Sequence, residues 1–424
     1  MSGGPPLPAA VEAQLAGIGR ADILVGIPSY NNARTIGHVV RAAAAGLREH
    51  FPGAKSIIVN SDGGSTDGTQ EIVAGTDQAE TEKILVTHPS LPVAKIVTPY
   101  HGIPGKGSAF RTIFHIADRL GVRACAVVDS DLRSIQPAWF QLLLGPVMDG
   151  RVDYVAPLYW RHKLDGTITN GIVYPLTRAL YGRRIRQPIG GDFGFSGDLA
   201  RTYLSKPVWE TDVARFGIDI WMTTTAVAEG FRVGQAFLGA KIHDAKDPGG
   251  DLTPMMTQVV GSCFALVGTY ADAWPKVRGS DPVPVFGEPQ AARAEPIAVN
   301  VERMRSIFAQ GLEDLGEIWG KILPDALLAG LGAIAAAPPS DFRVPDPLWA
   351  EVVYRFALAH HRGILPRDHL LSSLIPLYLG RTASFFLEMW DAEPEEVEAR
   401  IEGLALAFEG LKPLLQGEWD RPTS

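Results

Sequence analysis

Between residues 23 and 131 of the 424-residue chain, short apolar runs alternate with longer amphipathic segments. The runs at residues 23–27, 56–60 and 124–128 have the length and the small or β-branched composition of buried strands. The segments between them repeat apolar residues at intervals of three and four, which indicates helices. Alternating strands and helices joined by short glycine-rich junctions favour an α/β fold, in which helices cover both faces of a parallel sheet.

The length of the chain predicts more than one compact region, because a typical domain has about 100 to 200 residues. Prolines and charges replace the periodic pattern at residues 274–296, which indicates a linker or a domain boundary. Apolar residues then recur at helical spacing over residues 301–322 and 397–411, as in a small helical bundle or a docking arm. We predict a flexible segment at 1–20, a first domain at 21–270, a linker at 271–298 and a helical region at 299–424.

Composition limits the classes of partner. A net charge of -8 disfavours nonspecific binding to nucleic acid or to an anionic membrane surface, since both require a basic surface. No apolar run reaches the ~20 residues of a membrane span; residues 370–390 come nearest but contain Pro376, Arg381 and Glu388. The N-terminus lacks the pattern of a signal peptide, and only two cysteines occur, so we expect a cytoplasmic protein.

Two aspartates, Asp129 and Asp131, follow the predicted strand at 124–128. Residues i and i+2 of an extended chain face the same side, so these carboxylates would lie together. Two like charges held together require a cation or a shared proton, and oxygen ligands suit Mg²⁺ or Mn²⁺. A simple turn after the strand explains the isolated pair equally well.

Other polar residues also follow predicted strands, at the carboxyl edge of the sheet where ligands of open α/β sheets bind. They are Pro28, Tyr30 and Asn32 after the first strand, Ser61 and Asp62 after the second, and His243 after a strand predicted at 233–242. Lys106 stands between two glycines before a predicted helix, a position suited either to a phosphate or to solvent. Taken alone, His243 is more simply explained as a structural histidine than as a metal ligand.

Spacing excludes three common motifs. The dinucleotide fingerprint lacks its third glycine, because Phe110 stands there. A Walker A loop would need four residues between Gly102 and Gly105, where the chain has two. The segment around Ser196 reads G-x-S-G and so lacks the spacing of a hydrolase nucleophile elbow.

The order of the polar motifs resembles that of GT-A glycosyltransferases. The matching segments are, in order, residues 27–32, 60–69, 104–107 and 128–131. Residues 187–192 (QPIGGD) and 217–219 (GID) further resemble the retaining mannosylglycerate, glucosylglycerate and glucosyl-3-phosphoglycerate synthases. The similarity spans about residues 21–267. It implies a GT-A fold with a mixed, mainly parallel sheet, flanking helices and a helical C-terminal region.

The resemblance also implies roles for individual residues. The donor nucleotide would contact Pro28, Tyr30, Asn32, Ser61, Asp62, Lys106 and Asp129. The ligands of Mg²⁺ or Mn²⁺ would be Asp131, His243 and Asp129. The acceptor would be bound by Arg161, Gly190, Gly191 and Asp192, with the two glycines presenting backbone N–H groups. Asp219 would accept hydrogen bonds from the donor sugar and, with Lys106, take part in catalysis.

The reaction implied by the resemblance moves a hexose from UDP-glucose or GDP-mannose to D-glycerate or 3-phosphoglycerate, with retention at the anomeric carbon. One alternative is a GT-A enzyme that acts on a cell-surface polysaccharide or a lipid carrier. Another is a nonenzymatic nucleotide-sugar sensor, or a structural subunit that assembles through its helical arm. The apolar residues 370–390 suggest a homodimer, although packing within one chain explains them equally well.

Overall fold

The computed structural model describes residues 7–76, 94–99, 105–242, 253–289 and 299–420. The chain divides into two compact units, and each unit is assembled from separate stretches of sequence. The first unit comprises Met1–Trp160, Gln187–Ala245 and Val283–Ala294, and the second comprises Arg161–Arg186, Lys246–Pro282 and Glu295–Ser424.

The predicted domains were continuous along the chain, whereas the observed units are interleaved. The physical reason lies in the second unit, where helices from residues 161–186 and 246–282 pack on the C-terminal helices. The segment predicted as a linker, 271–298, also contains regular structure in its described part, including a short strand at Val285–Phe286 that joins the sheet.

The first unit is built on one sheet, which has eight strands among the described residues. The strands are β1 (Ile23–Ser29), β2 (Ser56–Asp62), β3 (Ala94–Pro99), β4 (Ala124–Val127), β5 (Tyr154–Trp160), β6 (Phe193–Ser196), β7 (Val233–Ala240) and β8 (Val285–Phe286). Their spatial order is β3-β2-β1-β4-β6-β5-β7-β8. Of these eight, β6 alone runs antiparallel to its neighbours, β4 and β5. The mixed, mainly parallel sheet predicted above is therefore confirmed.

Helices flank this sheet. In the first unit they are α1 (Ala9–Ile18), α2 (Ile36–His50), α3 (Thr69–Gly75), α4 (Lys106–Leu120), α5 (Pro137–Met148), α7 (Gly197–Ser205) and α8 (Ile218–Ala228). Apolar residues of α2 and α5 form one buried cluster with the side chains of Val25 and Ile27 on β1. On the opposite face α4 packs so closely that a Cβ at Gly26 would lie 2.5 Å from a methyl group of Ile113. Glycine at this position lets helix and strand meet.

Several local predictions need correction. Strand β4 ends at Val127, before both aspartates, so alternation along a strand does not set the directions of Asp129 and Asp131. Asp67, with Gln70 three residues on, has the residue type and spacing of a helix N-cap, but α3 begins at Thr69 after Gly68, which has a left-handed conformation. Asp67 instead accepts a hydrogen bond from the Thr69 N–H group. The short apolar run at residues 84–86 is a further, weaker strand candidate from the sequence, and it lies outside the described residues.

The second unit is helical in its described part. Its helices are α6 (Tyr174–Tyr181), α9 (Thr253–Thr269), α10 (Val301–Trp319), α11 (Asp325–Ala335), α12 (Asp346–Arg362), α13 (Arg367–Met389) and α14 (Pro394–Trp419). The fully buried guanidinium of Arg178 on α6 pairs with Glu402 and Glu409 on α14. The helical periodicity of the C-terminal sequence is thus confirmed, in α10 and α14 above all.

Helix α13 is long and apolar enough to cross a membrane by length and composition, the one such helix in the described part of the chain. Of its most apolar 18-residue window, 67% is buried inside the protein. Packing within the chain therefore accounts for this apolar segment. Assembly into a homodimer stays a prediction. Both cysteines, Cys125 and Cys263, are buried and form no disulfide.

Candidate active site

Charged and polar side chains converge at one edge of the sheet in the first unit. Strands β4, β5 and β7 run parallel, so their carboxyl ends share this edge, while antiparallel β6 begins there. The residues placed at this edge are Asp129 after β4, Tyr159 in β5, Asp192 before β6 and Lys241 after β7. Two helix starts supply Lys106, the first residue of α4, and Asp219, in the first turn of α8.

These side chains form a continuous network of ion pairs. The ammonium nitrogen of Lys106 lies 2.8 Å from Asp129 Oδ1 and 3.1 Å from Asp219 Oδ1. The ammonium nitrogen of Lys241 lies 2.8 Å from Asp129 Oδ2 and 2.9 Å from Asp192 Oδ2. Each oxygen of Asp129 thus faces one ammonium group. We call Lys106, Asp129, Lys241, Asp192 and Asp219 the ion cluster.

Burial and charge shift the pKa values in the ion cluster in different directions. Burial alone would raise the pKa of Asp129, but Lys106 and Lys241 outweigh it and hold that pKa well below its ordinary value. Burial would lower the pKa of Lys106, yet Asp129 and Asp219 raise it above its ordinary value. Burial raises the pKa of Asp219, and the repulsion from Asp129 adds to this while Lys106 opposes it. Lys106 and Asp129 are therefore a firmly charged pair.

The double-glycine turn, Gly190–Gly191, lies directly against the ion cluster. Gly191 has a φ of +93°, and a Cβ there would stand 2.3 Å from Asp129 Oδ2. The carbonyl oxygen of Gly190 accepts a 2.8 Å hydrogen bond from Lys241, and that of Gly191 accepts a 3.4 Å one from Lys106. The Gly190 N–H group donates to Gln187 O at 3.1 Å. The Gly190 N–H group thus has a partner within the protein in this conformation, and its contact with an acceptor stays a prediction.

Asp192 is the fully buried member of the ion cluster, and both of its carboxylate oxygens accept hydrogen bonds from the protein. Its Oδ1 accepts the backbone N–H of Asp129 at 2.8 Å, and its Oδ2 accepts the hydroxyl of Tyr159 besides Lys241. All of these partners belong to the protein, so Asp192 holds the network together in this structure. Its predicted contact with an acceptor stays a prediction.

The glycines beside Lys106 bring α4 against a short 3₁₀ turn at Asp212–Ala214. A Cβ at Gly105 would lie 2.5 Å from Ala214 O, and one at Gly107 would lie 1.7 Å from Val213 O. Because this turn is followed by α8, the two glycines set the spacing between the helix starts that carry Lys106 and Asp219. Close backbone packing, rather than a left-handed conformation, explains why glycine occurs here.

Asp62, predicted to contact the nucleotide, is saturated by donors from its own loop. Its Oδ1 accepts the hydroxyls of Ser29 at 2.8 Å and of Ser65 at 2.6 Å. Its Oδ2 accepts the N–H groups of Gly64 and Ser65 at 2.9 and 2.8 Å, and the Gln70 amide at 2.7 Å. Burial would raise the pKa of Asp62, but these hydrogen bonds hold it below its ordinary value. In this conformation Asp62 orders the loop after β2.

The other predicted nucleotide contacts lie at the ends of β1 and β2. Pro28 and Ser61 are cross-strand neighbours, and the Ser61 hydroxyl is buried with no hydrogen-bond partner among the described residues. Tyr30 is 63% exposed. The Asn32 side-chain oxygen accepts the Ser130 hydroxyl at 2.8 Å, which ties the loop after β1 to the turn that carries Asp129 and Asp131.

The fit of a divalent cation can be judged from the charges and donor types at this edge. The ion cluster sets three carboxylates against two ammonium groups and so keeps one surplus negative charge. Carboxylate oxygens are the ligands that Mg²⁺ and Mn²⁺ prefer. A divalent cation therefore fits in charge and chemistry, provided that Asp129 gives up at least one ammonium partner.

The complete predicted ligand set of Asp131, His243 and Asp129 cannot be assembled from the described residues, because His243 lies outside them. Among the described residues no group of three or more His, Cys, Asp or Glu side chains forms a metal site. Asp131 lies in a turn, and Arg133, two residues on, donates its N–H to Ile242 O at 2.8 Å. The segment that follows Asp131 is thus hydrogen-bonded to Ile242, the residue directly before His243.

Arg161, predicted to meet the acceptor, belongs to the second unit, where its guanidinium pairs with Asp165 at 3.2 Å. Two residues of the network were not predicted. Lys241 was counted as part of a strand predicted at 233–242, and Tyr159 as part of the apolar run of β5, so neither was recognised as a site residue. A lone lysine near the carboxyl end of an otherwise apolar strand was the available signal for Lys241.

Known proteins resemble this chain. Glucosyl-3-phosphoglycerate synthase of Mycolicibacterium paratuberculosis is 25% identical over 282 residues, which cover 61% of this chain and 75% of that enzyme. The enzyme of Mycobacterium tuberculosis is 24% identical over 282 residues, covering 61% of this chain and 76% of that enzyme. No protein-family model matches the chain.

Solved structures of the Mycobacterium tuberculosis enzyme also resemble the protein. A complex with Mn²⁺, UDP and phosphoglyceric acid has a TM-score of 0.44 at 21% identity, covering 62% of this chain and 84% of that one. A complex with Mg²⁺ and UDP has a TM-score of 0.44 at 21% identity, covering 62% of this chain and 85% of that one.

The curated relatives confirm the expectation of a glycosyltransferase. They also confirm the resemblance, inferred from the motifs, to glucosyl-3-phosphoglycerate synthases.

Proposed function

We propose that the protein transfers a hexose from a nucleoside diphosphate sugar to a small anionic acceptor, D-glycerate or 3-phosphoglycerate, with retention at the anomeric carbon. The observation that carries the proposal is the ion cluster at the ligand-binding edge of the sheet. The similarity to curated glucosyl-3-phosphoglycerate synthases supports the acceptor class. UDP-glucose and GDP-mannose are the donors we expect.

Lys106 has the position and charge to bind the donor diphosphate. Its side chain is 16% exposed and stands at the first turn of α4, where the helix dipole also favours an anion. On donor binding, a phosphate oxygen would replace Asp129 as a partner of Lys106. Because this positive charge is already fixed in place, it stabilises the charge that develops on the leaving diphosphate.

Asp219 has the position to orient the donor sugar. Its side chain is 13% exposed and its carboxylate pairs with Lys106. Thr223, on the next turn of α8, donates its hydroxyl to Pro188 O at 2.7 Å. Helix α8 and the turn that leads to Gly190 are thereby joined. In our proposal Asp219 accepts hydrogen bonds from sugar hydroxyls on one side, and the double-glycine turn borders the acceptor on the other.

Asp131 and Asp129, with His243, would hold Mg²⁺ or Mn²⁺. When bound, the cation would supply positive charge that offsets the charge of the diphosphate. The acceptor anion requires positive groups as well, and the contact from Arg161 that the resemblance implies stays a prediction.

The chemical step we favour is same-face attack. The bond from the anomeric carbon to the diphosphate oxygen breaks, and a bond from that carbon to the acceptor hydroxyl oxygen forms. The hydroxyl proton passes to the departing phosphate oxygen. This route needs no protein nucleophile, which suits an Asp219 carboxylate already paired with Lys106.

A donor-by-acceptor screen tests the proposal. The purified protein is incubated with UDP-glucose or GDP-mannose and with D-glycerate or 3-phosphoglycerate, with and without Mg²⁺, and release of the nucleoside diphosphate is measured. We expect release that depends on one acceptor and on the metal. Equal release with and without every acceptor would overturn the assignment.

A further inference from the structure

Lys241 is the least exposed cation of the ion cluster, with 6% of its side chain accessible. Among the described residues its ammonium nitrogen has three acceptors: Asp129 Oδ2 at 2.8 Å, Asp192 Oδ2 at 2.9 Å and Gly190 O at 2.8 Å. These match the three N–H bonds of an ammonium group. Lys241 thus connects the turn after β4, the double-glycine turn and the start of β6.

The three contacts of Lys241 differ in how readily they can be exchanged. Asp192 is fully buried, and Lys241 is the cation that pairs with it in the described part of the chain, so breaking this pair would leave a buried charge without that partner. Asp129 is 22% exposed and has Lys106 as a second cation. The contact from Lys241 to Asp129 is therefore the one that an incoming ion can replace.

Asp129 has no oxygen that faces away from a cation. Lys106 lies 2.8 Å from one oxygen and Lys241 lies 2.8 Å from the other. A divalent cation that approaches Asp129 must either displace an ammonium group or stand close to two positive charges, and repulsion between like charges in a partly buried site is costly. An incoming diphosphate removes this obstacle, because its oxygens can accept the displaced ammonium groups.

We propose that Lys241 competes with a divalent cation for Asp129, so that metal alone binds poorly and metal binds well together with a diphosphate. This inference rests on the proposed function, in which the turn of Asp129 and Asp131 binds Mg²⁺ or Mn²⁺. It assigns Lys241 as a positioning residue: it holds Asp129 ready in the free protein and yields it when both ligands arrive.

The test is a calorimetric titration of MnCl₂ into the full-length protein, first alone and then with UDP present. The variant Lys241→Met removes the ammonium group and keeps most of the side-chain volume. We expect Mn²⁺ alone to bind Lys241→Met about tenfold more tightly than the unsubstituted protein, since one competing charge is gone. The tightening that UDP produces should be smaller in the variant.

Two further variants make the result specific. Lys241→Gln keeps a hydrogen-bond donor for Asp192 and Gly190, and it provides the answer if Lys241→Met does not fold. Lys206→Met removes a lysine that pairs with Glu229 on the surface, and its Mn²⁺ affinity should be unchanged. Circular dichroism and thermal melting establish that each protein is folded.

If Lys241 had a merely structural role, its neutral variants would bind Mn²⁺ more weakly than the unsubstituted protein, because loss of the network would weaken metal binding. If the neutral variants bind Mn²⁺ alone no more tightly than the unsubstituted protein, while that protein binds Mn²⁺ with UDP, the inference fails and the proposed function stands. If the unsubstituted protein binds no Mn²⁺ even with UDP, the metal site fails and the inference fails with it.

Discussion

Gly191 and Asp129 lie so close together that a Cβ on the glycine would stand 2.3 Å from the Asp129 carboxylate oxygen Oδ2. The same Cβ would lie 2.9 Å from the ammonium nitrogen of Lys241. The double-glycine turn is thus shaped around the ion cluster, and a single methyl group tests this relationship.

We predict that Gly191→Ala lowers kcat/KM by about 100-fold or more, because the added methyl group displaces Asp129 and a shift of about 1 Å at a reacting site has this effect. Steady-state kinetics with the donor and acceptor found by the screen measure it. Gly230→Ala is the matched control, since Gly230 has a φ of +80° but a Cβ added there would meet no atom of the described residues within 4 Å. The control should lose about 1–2 kcal/mol of stability and keep its activity. Equal losses of activity in both variants would refute the argument.

Lys106→Met should lower kcat by about 10²- to 10³-fold, because it removes a fixed positive charge that stabilises the leaving diphosphate. It should also weaken UDP binding, which fluorescence or calorimetric titration reports. Lys206→Met, which breaks a surface pair with Glu229, should leave both quantities within error. Normal UDP affinity in Lys106→Met would remove this lysine from the diphosphate site.

Asp62→Asn should destabilise the first unit, because an amide replaces one of two oxygens that together accept five hydrogen bonds. At least two donors then lose their acceptor, which costs about 2–4 kcal/mol in the free energy of unfolding. Urea unfolding measures the change. Asp67→Asn, in a more exposed carboxylate of the same loop, should have a smaller effect. Unchanged stability in Asp62→Asn would contradict the loop-ordering role.

Lys412 on α14 predicts a pH dependence of stability in the second unit. Burial, aided by Arg278, lowers the pKa of Lys412 to about 8, while its ammonium donates to Val277 O at 2.9 Å. A lysine whose pKa is lower in the folded state binds fewer protons there than when unfolded. Its contribution to stability is therefore complete above the unfolded pKa of about 10.4 and is lost as pH falls through about 8.

The measurement is the thermal midpoint of the unsubstituted protein and of Lys412→Met between pH 7.5 and 10, where the chosen range brackets the folded pKa. We expect the midpoint of the unsubstituted protein to rise relative to that of the variant as pH increases. A difference that does not change with pH would show that Lys412 titrates normally.

The sequence predicted the sheet because its strands are continuous apolar runs, and such runs are typical of strands that are buried on both faces. It predicted the edge where Asp129 lies because polar residues follow those runs. Lys106 was predicted from its place between two glycines before a helix, and Asp219 came from the resemblance alone. It did not predict Lys241 or the saturation of Asp62, because both depend on which donors the folded chain brings within 3 Å. The interleaving of the two units could not be predicted from the sequence either. Apolar periodicity shows that α6 has a buried face, but it does not show which helix covers that face.

The most direct test of the central claim is the proton NMR spectrum of the product formed from the donor and acceptor selected by the screen, with Mg²⁺ or Mn²⁺ and with a chelator. We predict one new sugar linkage to the acceptor hydroxyl, with the anomeric configuration of the donor, formed only when the metal is present. A product of inverted configuration, or free hexose as the sole product in the presence of acceptor, would contradict the account.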